Sequence, residues 1–117
     1  MTLIDTSVLI DILKGKLTSV GNSLSIVSMM EVIRVLEEDK RLKVFESLKE
    51  IYTIYPLDDK VALKYAELYY MLKDKGITIS DLDLIIASTA KAYNEKIMTK
   101  DKDFLLLSEY IQIELIQ

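Results

Sequence analysis

The 117-residue chain contains neither cysteine nor histidine. Without cysteine there is no disulfide, no thiolate zinc site and no thiol nucleophile. Without histidine there is no Ser-His-Asp triad, no HExxH zinc site and no imidazole base. Catalysis, if present, falls to carboxylates, lysine, tyrosine or hydroxyls, and a hard metal ion held through oxygen is their natural complement. Proline occurs once and glycine three times, while half of the residues are apolar. That composition suits a compact fold, and its length suits one domain over residues 1–117. No apolar run approaches the ~18 residues of a membrane span, and Asp5 and Asp11 interrupt the N-terminal one. A soluble, cytoplasmic protein with no membrane partner is expected. Positive charge is also short: 15 basic residues against 19 acidic ones leave a net charge of −4. Nucleic-acid binders usually present excess positive charge, although a metal-loaded acidic site reverses the sign locally.

What is present alternates between strand and helix patterns. Leu3 and Ile4 form a short apolar run, Asp5-Thr6-Ser7 reads as turn and cap, and Val8 to Leu13 follow with helical spacing. Leu24 to Val27 is a second strand candidate before a helix from about Ser28 to Glu38, and Asp39-Lys40 interrupts. A helix from about Arg41 to Lys49 leads to a strand in Ile51 to Tyr55, ended by Pro56. Asp58 or Asp59 caps a long helix with Val61, Ala62, Tyr65, Ala66, Leu68, Tyr69 and Leu72 on its apolar face, stopped by Gly76. Ser80 opens another helix, Lys96 to Met98 a short strand, and Ile111, Ile113 and Leu115 alternate as the last strand. The alternation predicts an α/β sandwich with a central, mostly parallel sheet flanked by helices, whose ligand site lies beyond the carboxyl ends of the strands. Asp5 and Asp101 both fall on that rim.

Each acid has an ordinary structural role open to it. Asp5 can begin a turn, Glu31 can be solvated, Asp83 can complete a Ser80-x-x-Asp83 capping box, and Asp101 can cap a short helix. Glu31 and Asp83, however, sit among apolar neighbours, where an unpaired charge is costly. Several carboxylates gathered together raise one another's pKa unless a divalent cation compensates them. Four acids, Asp5, Glu31, Asp83 and Asp101, and no histidine therefore read as a Mg²⁺ or Mn²⁺ site.

Four blocks carry a family resemblance. Leu3-Ile4-Asp5-Thr6-Ser7-Val8-Leu9-Ile10, Ser25-x-x-Ser28-x-x-Glu31, Asp83-Leu84-Ile85-Ile86-Ala87 and Thr99-x-Asp101-x-Asp103-Phe104 stand in the order of the motifs of small PIN-domain nucleases. Over nearly its whole length the chain resembles the toxins of VapBC toxin-antitoxin pairs. It departs from many of them in having Val32-Ile33-Arg34-Val35-Leu36, without glycine, after the second acid. The resemblance implies a three-layer PIN-like sandwich in which Asp5, Asp83 and Asp101 hold the metal and Glu31 completes its shell or orients the attacking water, and hydrolysis of RNA that leaves a 5′-phosphate and a 3′-hydroxyl. It also implies a homodimer, and an antitoxin whose tail inserts near the acidic site.

Asp81 and Asp103 each lie two residues from a motif acid and are further candidates, with Ser7 and Thr99 as supporting hydroxyls. Lys14, Lys16, Arg34, Lys100 and Lys102 adjoin the acidic blocks and can meet an RNA backbone or simply be solvated. Tyr65, Tyr69 and Tyr70 on the long helix suit core or dimer contact better than base stacking. Two other readings compete. A phospho-acceptor receiver domain needs a tandem acidic pair after the first strand, where only Asp5 stands; a catalytically silent PIN-fold binding module would account for the low positive charge.

Overall fold

Leu3 and Ile4 are both wholly buried but belong to different cores, as neighbours along a strand must when both faces of a sheet are covered. In the computed structural model, which describes residues 1–117, they lie in β1 (Thr2–Ile4) at the centre of a five-stranded sheet. The other strands are β2 (Ser23–Ser25), β3 (Thr53–Tyr55), β4 (Lys96–Thr99) and β5 (Ile113–Leu115). All pairings are parallel, in the order β3-β2-β1-β4-β5, with Leu3 opposite Ser23 on one side and Ile97 on the other. That order differs from the 2-1-3-4-5 of flavodoxin-like and receiver folds.

Helices cover both faces. Helices α1 (Thr6–Leu13), α2 (Ile26–Ile33) and α3 (Glu38–Ile51) enclose a core of Ile4, Val8, Leu9, Leu24, Met29, Val32, Leu48 and Tyr52. Across the sheet, α4 (Asp59–Asp74), α5 (Asp81–Ala92) and a 3₁₀ helix (Lys102–Leu107) pack Leu68, Leu72, Leu84, Ile86, Ala87, Phe104 and Leu107 against Leu3 and Ile97. The expected three-layer sandwich is present. No helix is long and apolar enough to cross a membrane.

Several boundaries move from the sequence reading. The strand expected over Leu24 to Val27 is Ser23–Ser25, because the Ser25 hydroxyl accepts from the Val27 amide and starts α2 there. The expected helix from Ser28 to Glu38 is two helices, broken after Ile33, and Asp39-Lys40 lies inside the second. Glu38 and Asp39 occupy the first turn of α3, where the helix dipole favours negative charge. Asp58, Ser80 and Asp101 cap their helices as the sequence suggests. On α4 only Val61, Leu68 and Leu72 are buried, and Tyr69 and Tyr70 face outward. Gly21 is required where it stands: its φ is +78°, and a Cβ there would lie 2.5 Å from Ile4 Cγ2.

A buried carboxylate fastens β2, β3 and the start of β4. Glu95, 5% exposed, accepts from the Ser23 hydroxyl at 2.6 Å and from the Tyr55 hydroxyl, while the Tyr55 ring stacks on Tyr93 at 4.1 Å. Burial and the Glu95 bond push the Tyr55 phenol up to about 12. Removing the carboxylate strands the fully buried Ser23 hydroxyl without a partner, which costs about 1–3 kcal/mol. Glu95→Ala should therefore lower the urea midpoint markedly, and Glu95→Gln, which still accepts a hydrogen bond, should lower it less. Equilibrium urea unfolding of both variants checks this.

Candidate active site

The chain leaves β1 toward β2 and leaves β4 toward β5, so a crevice opens beyond the carboxyl ends of these two adjacent strands. Asp5 stands where β1 ends. Its amide donates to Met98 O of β4 at 3.1 Å, and its carboxylate caps α1 by accepting from the Val8 amide at 3.0 Å. Asp101 stands where β4 ends and caps the 3₁₀ helix through the Asp103 amide at 2.9 Å. Asp83 is in the first turn of α5, whose cap is the Ser80 hydroxyl, so its carboxylate is not needed as the cap acceptor. Capping and site membership are thus compatible for all three, and each lies at a helix start that favours an anion.

Asp5 is 3% exposed, and three donors meet it: the Ser7 hydroxyl (2.7 Å) and the Val8 amide on Oδ1, and the Thr99 hydroxyl on Oδ2. Burial raises its pKa, the three hydrogen bonds work against that rise, and the Asp101 charge adds to it. Asp83 is also raised, first by burial, with the Ser80 hydroxyl opposing and the charges of Asp101, Asp5 and Glu31 adding. The fields of three other acids therefore converge on one carboxyl. None of the four ion pairs in the structure includes any of these acids.

Glu31 projects from α2 and is half-buried; the Thr6 hydroxyl donates to its Oε1 at 2.7 Å and lies 2.9 Å from Ser28 Oγ. Thr6 was readable only as a turn residue, because its bond to Glu31 spans 25 positions; the Ser28–Glu31 spacing was the nearest signal. Asp81 is exposed and pairs weakly with the Tyr65 hydroxyl at 3.4 Å. Asp103 is exposed, while the neighbouring Phe104 is wholly buried and anchors the segment. Lys14, Lys16, Arg34 and Lys102 are solvent-exposed. Lys100 instead bonds Asp11, whose carboxyl that contact holds below the usual range. A groove of about 400 Å³ beside Glu31 is walled by Ile10, Leu13, Val32 and Val35, with Lys14 and Arg34 among its lining residues.

The donor set fits a hard divalent ion: the candidates offer only carboxylate and hydroxyl oxygens, and their mutual repulsion is uncompensated by any basic partner. No three acids are gathered tightly enough to grip an ion by themselves. This suits Mg²⁺ chemistry, in which one or two carboxylates and several waters share the ion.

A family model described as PIN domain matches residues 2–109. Ribonuclease VapC1 of Methanocaldococcus jannaschii is 37% identical over 102 residues, covering 86% of this chain and 75% of that protein. VapBC-5 from Mycobacterium tuberculosis, of the VapBC family of toxin-antitoxin systems, is 30% identical with a TM-score of 0.73, covering 99% of this chain and 97% of its own. The DNA-bound VapBC of Salmonella typhimurium shares the fold, with a TM-score of 0.83 at 21% identity over 97% of this chain and 96% of that one.

The raised Asp83 carboxyl means that the folded state disfavours its charged form. In EDTA at pH about 7, Asp83→Asn should raise the melting temperature by relieving repulsion. The gain should shrink as pH falls into the range where the parent carboxyl, raised above its ordinary value, protonates as well. Thermal unfolding across that pH range checks both; a lower melting temperature throughout would mean that the charge helps to hold the start of α5.

Proposed function

Because the chain belongs to the PIN domain family, among its VapC ribonucleases, we propose that it is a metal-dependent endoribonuclease, the toxin of a toxin-antitoxin pair. The observation that carries this reading is that Asp5, buried, and Asp101 stand at the carboxyl ends of the adjacent parallel strands β1 and β4, and that neither they nor Asp83 and Glu31 have a basic partner. The choice of RNA as substrate is supported by the name of the M. jannaschii relative, a ribonuclease.

Asp5, Asp83 and Asp101 would hold Mg²⁺ or Mn²⁺, one or two of them directly and the rest through bound water, and the ion would supply an activated water and neutralise charge on the phosphodiester in an in-line displacement. Asp5 is suited to this because its three hydrogen bonds keep a buried carboxylate oriented. Glu31 is held on one oxygen by Thr6, which leaves Oε2 to receive the proton of the attacking water. The Ser7 and Thr99 hydroxyls keep Asp5 in place and touch no substrate in this scheme.

The apolar groove beside Glu31 is the docking place that we assign to the antitoxin: an apolar segment would fill it and a basic side chain would reach the acids. Self-association as a homodimer has a suitable surface in the exposed Leu63 and Tyr70 of α4 and Leu82 of α5.

Asp5→Asn should abolish cleavage of a defined RNA at saturating Mn²⁺ while the circular dichroism spectrum stays that of the parent. Asp101→Ala should slow single-turnover cleavage by about 100-fold, and the exposed Asp103→Ala by much less. Undiminished cleavage by Asp5→Asn, or cleavage by the parent that persists in EDTA, would overturn the reading.

A further inference from the structure

Asp11 belongs to none of the four acidic blocks, yet its side chain is only 12% exposed and is held by the Lys100 ammonium. We propose that the Asp11–Lys100 pair is a positioning device that lays the segment after β4 along α1 and so holds Asp101 beside Asp5. The proposal rests on the metal-site reading given above.

Ser7 and Asp11 are four residues apart on α1 and therefore share one face. Lys100 meets both: its backbone amide donates to the Ser7 hydroxyl at 3.2 Å, and its side chain runs on to Asp11. Asp11 is itself fixed at the end of α1, where its carbonyl accepts from the amides of Lys16 (2.8 Å) and Leu17 (3.3 Å).

Two hydroxyl relays then connect this segment to Asp5. Ser7 accepts from the Lys100 amide and donates to Asp5 Oδ1; Thr99 accepts from the Asp101 amide at 2.9 Å and donates to Asp5 Oδ2. Successive amides are thereby referred to the two oxygens of one carboxylate. Both relays act close to the strand ends, whereas the ion pair is the contact that reaches down the helix and fixes the direction in which the chain departs. Lys100 is thus occupied by the protein, and the pair does for Asp101 what supporting carboxylates do for metal-ligating side chains generally.

The test uses the full chain with Asp11→Asn, Lys100→Met, the double variant and Lys100→Arg, which retains the charge. In EDTA, amide hydrogen exchange should quicken by about tenfold or more at Lys100 and Asp101 in both single variants, with the sheet amides unchanged and Lys100→Arg near the parent. Mn²⁺ affinity, read by electron paramagnetic resonance without RNA, should weaken by about tenfold, within the range seen when supporting partners of a metal ligand are lost. The double variant should be no worse than either single one, as for two residues that act as a unit. Exchange unchanged in Asp11→Asn overturns the proposal, as does exchange that quickens throughout the protein or Mn²⁺ affinity that stays at the parent value. Tighter binding of an RNA oligonucleotide by Asp11→Asn would also overturn it, marking Lys100 as a phosphate contact that Asp11 restrains. A parent that binds no Mn²⁺ would defeat the metal-site reading instead, and the exchange measurement would still decide whether the pair fixes the segment.

Discussion

A carboxylate buried to the extent of Asp5 needs donors on every side, and the residues that supply them come from opposite ends of the chain. Ser7 and Val8 belong to the first helix, and Thr99 lies 94 positions from Asp5 in sequence. The same carboxylate closes three contacts at once: it caps α1, it ties β1 to β4 beyond their backbone ladder, and it faces the crevice. An unmet charge at this point would cost several kcal/mol. The strand ends therefore cannot separate without exposing or stranding it, and the position of the site follows from the solvation needs of one anion.

From that fixed point the other acids follow by topology. Crossing from β3 over to β4 brings α5, and with it Asp83, to the sheet face opposite α1 and α2, while α2 brings Glu31 from the other side. Charges of one sign approach from both layers, and the carboxyls of Asp5 and Asp83 are raised first by burial and then further by those charges. A site under such repulsion is poised for a cation. In the proposed function the strain is relieved when the divalent ion binds. The partly apolar groove beside Glu31 adjoins these charges, and in the proposed function one partner covers both.

Much of this was legible in the sequence, for identifiable reasons. Asp5 and Asp101 follow short apolar runs, and an acid directly after a parallel strand falls on the functional rim in this fold class. The caps at Asp58, Ser80 and Asp101 are local, formed within three residues of the side chain that makes them, and they read correctly. The start of α2 was misjudged because Leu24-Ser25-Ile26-Val27 has the β-branched content of a strand, and only the Ser25 hydroxyl turns it into a helix. The gap between α2 and α3 carries no proline or glycine, so nothing in Arg34 to Glu37 announced it. The Thr6–Glu31 bond, the Ser23–Glu95–Tyr55 network and the Asp11–Lys100 pair span 25 to 89 positions and have no local pattern. They became visible only when the strand order was known.

In the proposed function the carboxylates beyond β1 and β4 form one cation site, and anomalous diffraction from crystals soaked in Mn²⁺ puts this to the test. A peak is expected in the crevice, at oxygen-ligand distance from Asp5 and from at least one of Asp83 and Asp101. A crevice without such a peak, in crystals that bind Mn²⁺ elsewhere on the molecule, would contradict it.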